Sequence, residues 1–214
     1  MINLCNDGGV YTITMTSDGN TICPDWQQQM LAILDQVETD CGEDTALVIT
    51  GENKFFNNGI NLDAVKKLNE SDNKEFIRNL LEICRRILIL PFPTVAAING
   101  HAFAGGAFLA MSVDYRIMRE DRGWICLSEV DVGVPINKPM MDILSAKLPP
   151  ATVRDAVLTG KRYTADEAIA AGFVDSKAAS EVLLDKALEL ATTLASKESG
   201  IFKELKQTLY KDLT

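Results

Sequence analysis

Thr94-Val95-Ala96-Ala97-Ile98-Asn99-Gly100-His101-Ala102-Phe103-Ala104-Gly105-Gly106-Ala107-Phe108 is the stretch whose reading decides the fold. Pro91 and Pro93 stop the helical pattern before it, residues 94–98 are an apolar run of strand length, and Asn99-Gly100 turns the chain. Small residues then lead into an apolar helix that reaches Ser112. A strand passing into a helix through alanines and glycines is a βα unit built for close approach. The start of such a helix carries N–H groups without intrahelical partners and the positive end of the macrodipole, so Gly105 and Gly106 can bring donors to an oxyanion or a phosphate. Plain tight packing accounts for the same glycines equally well. No Gly-Lys-Ser/Thr follows, and the spacing differs from a dinucleotide fingerprint.

The same alternation extends in both directions. Upstream, residues 2–5 and 10–16 flank an Asp7-Gly8-Gly9 turn and predict a hairpin. Met30, Leu31, Leu34 and Val37 recur at helical spacing between Pro24-Asp25 and Gly42, which predicts a helix over 25–41. Residues 46–50 form a short apolar strand. A helix is predicted over 73–90, with residues 52–61 as a loop and 69–73 as a charged, poorly patterned and mobile stretch. Downstream, strands are predicted over 115–119 and 124–127, and helix dominates beyond Pro139, with Thr164 capping a segment over 165–171. The result is an α/β domain, 1–148 as core and 149–214 as a C-terminal helical section, without internal sequence repeat.

Composition narrows the function classes. A chain of 214 residues that is 47% hydrophobic supports one sizeable core. With a net charge of −9 it repels nucleic acid. No apolar run reaches the roughly 20 residues of a membrane span, and the N-terminus lacks the pattern of a signal peptide, so an intracellular, soluble protein is expected. Cys5, Cys23, Cys41, Cys84 and Cys126 contain no CxxC pair and read as reduced thiols. His101 is the only histidine, which removes most triad and zinc chemistries; no metal site is expected.

Two further segments can carry chemistry. In Phe55-Phe56-Asn57-Asn58-Gly59-Ile60-Asn61-Leu62, Gly59 permits a turn that aims the following N–H groups into a cavity, although Asn-Asn-Gly is also the composition of an ordinary turn. In Leu127-Ser128-Glu129-Val130-Asp131-Val132-Gly133-Val134-Pro135, two carboxylates lie among apolar residues. A carboxylate in an apolar pocket becomes a useful base; exposed acids at a strand end, or ion-pair partners of Arg119 or Arg122, are the plainer reading.

Taken in order, the three segments resemble the crotonase superfamily, the enoyl-CoA hydratase/isomerase family, along the whole chain. The resemblance implies a spiral of ββα units and an oxyanion hole made by the backbone N–H groups of Ile60 and Gly105. It implies Glu129 as acid/base, and Phe56, Asn58, Gly59, Leu62, Gly106, Phe108, Lys54 and Lys66 as substrate-binding residues, with Lys67 a further candidate base for the coenzyme A phosphates. His101 is read as structural, in the turn before the helix, and Asp131 as a support for the Glu129 loop. Hydratases of the family use two glutamates; here the position of the first falls on Phe108. One carboxylate suits a proton shift rather than water addition.

With residues 114–123 and 128–135 and the ending Leu209-Tyr210-Lys211, the chain is similar to compact, plant-type Δ3-Δ2-enoyl-CoA isomerases. The implied substrate is a fatty acyl-CoA thioester, with no further cofactor, in a homotrimer or a pair of trimers. The cytoplasm is expected in a bacterium, and the peroxisome or mitochondrial matrix in a eukaryote, although Asp212-Leu213-Thr214 is not a Ser-Lys-Leu signal. The other readings are a different crotonase reaction (hydration, thioester hydrolysis, decarboxylation) or an acyl-CoA-binding protein without turnover. Asn61 stands where many members have aspartate.

Overall fold

The hairpin comes first in the chain, as β1 (Ile2–Asp7) and β2 (Val10–Met15), followed by α1 (Pro24–Asp40), in a computed structural model that describes residues 1–213. Thr214, the last residue of the Asp212-Leu213-Thr214 ending, lies outside the described residues. One pattern then repeats. A long strand, a short strand and a helix follow one another as β3 (Ala46–Gly51), β4 (Phe55–Asn57) and, after a single turn α2 (Leu62–Val65), α3 (Glu70–Ile89). The second round is β5 (Thr94–Ile98), β6 (His101–Phe103) and α4 (Gly105–Ser112). The third is β7 (Tyr115–Arg119), β8 (Ile125–Cys126) and the short α5 (Glu129–Val132). The C-terminal section holds α6 (Lys138–Lys147), α7 (Pro150–Thr159), β9 (Arg162–Tyr163), α8 (Ala165–Ala171), β10 (Ser176–Ala178), α9 (Leu183–Ala195) and α10 (Ser199–Leu209).

Long strands build one sheet and short strands another. The large sheet has the order β1-β2-β3-β5-β7-β10, antiparallel only between β1 and β2. The small sheet has the order β4-β6-β8-β9, with β4, β6 and β8 parallel and β9 antiparallel. This is the expected spiral of ββα units, a repeat of structure that no repeat of sequence announces. Apolar residues sort by face. Ile13, Leu47, Ile49, Ala96 and Ile98 pack with α1, α3 and α4 in the main core, whereas Val10, Val48, Val95 and Ala97 meet Ala187, Ala191 and Ala195 of α9 on the other face of the large sheet.

Several expectations need correction. Residues 69–73 are not patternless loop: Asn69 caps α3 by accepting the Asp72 N–H at 2.9 Å, so the helix begins at Glu70 rather than 73. Residues 52–61 contain strand β4, too short to show an apolar period. His101 lies on β6, not in a turn, because Phe55 of β4 pairs with it. Thr164 does start α8, its N–H donating to the Glu167 carboxylate at 3.0 Å.

Candidate active site

Three parallel short strands carry three segments to one edge. The chain leaves β4 toward Ile60, β6 toward Gly105 and β8 toward Glu129, and all three depart from the carboxyl ends of neighbouring strands, where α/β sheets place their ligand sites.

The first segment is held from three sides. Asn57, fully buried, accepts the Gly59 N–H on its side-chain oxygen at 2.9 Å. Ile22 bridges Ile60 in parallel, donating its N–H to the Gly59 carbonyl at 2.8 Å and accepting the Asn61 N–H at 2.9 Å. In such a bridge the middle residue's own N–H faces away from its partner, so the Ile60 N–H points away from Ile22. Asn61 caps α2, its side-chain oxygen accepting the Ala64 N–H at 3.0 Å.

The second segment packs directly on the first. A methyl group built on Gly106 would lie 2.1 Å from the Asn57 carbonyl oxygen, so only glycine allows α4 to come this close to β4. Gly59 has φ +80°, and a methyl there would come within 2.9 Å of the Phe103 carbonyl oxygen and 3.3 Å of the Gly105 nitrogen. The turns bearing Ile60 and Gly105 are therefore in van der Waals contact. Gly105 is the first residue of α4, where the N–H has no intrahelical acceptor and the macrodipole is positive. Ahead of it, Ala104 adopts φ 48°, ψ −118°. Such a conformation costs a residue with a Cβ on the order of 1–3 kcal/mol. It is nevertheless pinned, with the Ala104 N–H on the Cys126 carbonyl at 2.9 Å and its own carbonyl accepting from Ala107 and Phe108.

The third segment presents one carboxylate. Glu129 is 7% exposed, and its Oε2 is buried with no hydrogen-bond partner. Burial pushes its pKa up to about 7, opposed only by an interaction with its own backbone N–H. Arg119 is paired instead with Asp121 at 2.6 Å, so the surface ion-pair alternative does not describe Glu129. Val130 and Val132 beside it are half exposed. Asp131 is exposed and lies against Gly160, where a methyl would meet its carboxylate at 2.5 Å.

Not every expected residue converges here. Phe56 is fully buried in the main core and acts as packing, whereas Phe108, buried in the same core, stands one helical turn after Gly105 on α4. Lys54 precedes β4, at the opposite end of the strand from Ile60, with its ammonium over the Phe55 ring at 5.2 Å; it is not brought to the donors. Lys66 ends α2, exposed and 3.4 Å from Asp63, and Asn58 and Leu62 are exposed near Ile60. A cavity of about 500 Å³ lined by Arg78, Arg85, Ile143 and Leu213 includes none of the three segments. Sequence reasoning missed Asn57, Ile22 and Ala104. Asn57 was legible as an Asx turn ahead of Gly59, whereas an isolated bridge from Ile22 leaves no local signal.

The enoyl-CoA hydratase/isomerase family profile matches residues 6–214. This chain belongs to that family. It is 32% identical to enoyl-CoA delta isomerase 3 of Arabidopsis thaliana over 100% of its own length and 93% of the relative, and 33% identical to the peroxisomal enoyl-CoA delta isomerase 2 of the same plant, over 100% and 93%. Among solved structures, an enoyl-CoA hydratase from Mycobacterium ulcerans Agy99 superposes with a TM-score of 0.92 at 29% identity, over 99% of this chain and 92% of that one. The crotonase fold is thus shared with proteins named for two different reactions.

Proposed function

We propose that this family member is a Δ3-Δ2-enoyl-CoA isomerase. The observation that supports the reading is a single buried carboxylate, Glu129, on a segment that leaves the small sheet at the same edge as the Ile60 and Gly105 segments, and the resemblance puts the apolar Phe108 where hydratases carry their other glutamate. Phe108 follows Gly105 by three residues, on the same face of α4, and is 1% exposed. It can neither hold nor activate water.

In this mechanism the thioester carbonyl of a 3-enoyl-CoA accepts hydrogen bonds from Ile60 and Gly105. The Glu129 carboxylate removes a proton from C2, the C2–H electron pair enters the conjugated system, and the dienolate oxygen carries the negative charge against the two N–H groups and the α4 dipole. The double bond shifts from C3–C4 to C2–C3 as the Glu129 acid returns the proton to C4. Donors of this kind contribute about 3 kcal/mol each to transition-state stabilisation. A base with a pKa of about 7 is suited both to taking and returning the proton. No cofactor beyond the coenzyme A of the substrate enters. Gly59, Gly106, Asn58 and Leu62 border the carbonyl, and Lys66 with Lys67 is assigned to the phosphates. We assign a homotrimer as the assembly; the exposed apolar stripe Ile201, Leu205 and Leu209 on α10 supports further burial between copies.

The test is a substrate panel. Conjugated product from trans-3-hexenoyl-CoA, with hydration of crotonyl-CoA at least about 100-fold slower, is expected. Comparable hydration, or thiol release from a saturated acyl-CoA without conjugation, contradicts the proposal.

A further inference from the structure

We propose that Ala104 is a positioning residue: its methyl group, kept in a backbone conformation that favours glycine, sets the separation and angle between the donor segments of Ile60 and Gly105. The inference rests on reading those two residues as the oxyanion donors.

Among the described residues, Ala104 is one of three non-glycine residues with positive φ, the others being Asn20 and Asn53. Asparagine tolerates that region through its own side-chain hydrogen bonding, and alanine has no such compensation. The main-chain groups of Ala104 are fully used, the N–H on Cys126 and the carbonyl on Ala107 and Phe108. A glycine would keep all of these bonds without strain, so the backbone itself does not call for alanine. Only Cβ remains to be explained, and it faces the Gly59 turn. A methyl on Gly59 would lie 3.1 Å from the Ala104 Cβ. The space between the two turns therefore takes one methyl, which position 104 supplies and position 59 leaves out. Gly59 is the residue directly before Ile60, and Ala104 the residue directly before Gly105. This close approach of the two turns thus lies one peptide away from both donors. Without the methyl, the turns lose the surface that spaces them, and residue 104 gains access to other φ/ψ wells. Both changes redirect the N–H groups that must converge on one oxygen atom.

Ala104→Gly and Ala104→Ser separate this role from a merely structural one. Three readouts are needed: kcat and KM for trans-3-hexenoyl-CoA, the thermal midpoint, and the red shift of a cinnamoyl-CoA-type chromophore on binding, which reports carbonyl polarisation without turnover. Ala104→Gly is expected to lower kcat about tenfold with KM nearly unchanged, to shrink the red shift, and to keep or raise the midpoint. Ala104→Ser retains Cβ and is expected to retain most of both the turnover and the shift. Wild-type kcat and red shift in Ala104→Gly overturn the inference, as does an Ala104→Ser variant that loses them as fully as Ala104→Gly. If wild type itself neither turns over nor shifts the chromophore, the isomerase reading fails and this inference with it; if wild type does both and Ala104→Gly matches it, only the positioning role fails.

Discussion

Glu129, buried, and Asp114, partly buried, are both carboxylates at the end of a strand or helix, and their surroundings have opposite designs. Asp114 is saturated: its Oδ2 accepts from Lys206 Nζ at 2.7 Å, the Thr94 N–H at 2.8 Å and the Thr94 hydroxyl at 2.9 Å. Lys206 in turn donates to the Phe92 carbonyl at 3.1 Å, which ties α10 to the body of the protein. Glu129 has no cation beside it and an oxygen without a partner. The first arrangement holds a charge still; the second leaves a proton free to move. Residue type does not separate the two roles, but the partner inventory does.

Breaking the saturated pair should give the largest loss of stability. Lys206→Met leaves the partly buried Asp114 without its cation and is expected to cost about 3–5 kcal/mol, read by chemical denaturation, with kcat per folded molecule unchanged. A smaller effect separates the two carboxylates by pH. Glu129 has its folded pKa raised from 4.5 to about 7, so between those values the folded state holds a proton that the unfolded chain has released. Stability from this group is fully present below pH about 4.5 and is lost as pH rises through about 7, a change on the order of 3 kcal/mol. Glu129→Gln should remove that slope and be the more stable protein above pH 7; an unchanged slope in the mutant would place the titration elsewhere. The smallest effect tests the support of the hole. Asn57→Ala strips the Gly59 N–H of its acceptor and is expected to cost about 1–3 kcal/mol of stability and about tenfold in turnover.

Much of this was legible in the chain. Long strands and amphipathic helices show in the runs at 46–50, 94–98 and 30–37, because burial on the large sheet demands apolar residues at those periods. Gly105 and Glu129 were not decided by local pattern, which fits tight packing and an exposed acid as well; the order of the three segments singled them out through the resemblance. The small sheet was harder to see, since β4, β6 and β8 have two or three residues each, fewer than any period needs. Lys54 and Phe56 were misplaced for that reason: a strand read as a loop gives no means of telling one end from the other or the inner face from the outer. Non-local pairings such as the bridge of Ile22 with Ile60, and the packing of the Ala104 turn on the Gly59 turn, have no signature in sequence at all.

The most direct test follows ultraviolet absorbance on mixing the protein with trans-3-hexenoyl-CoA, beside Glu129→Gln, which keeps the shape and removes the base. A rise from conjugation is expected in wild type, with its rate about 10²–10⁴-fold lower in the mutant. A mutant that conjugates the double bond as fast as wild type would contradict Glu129 as the base.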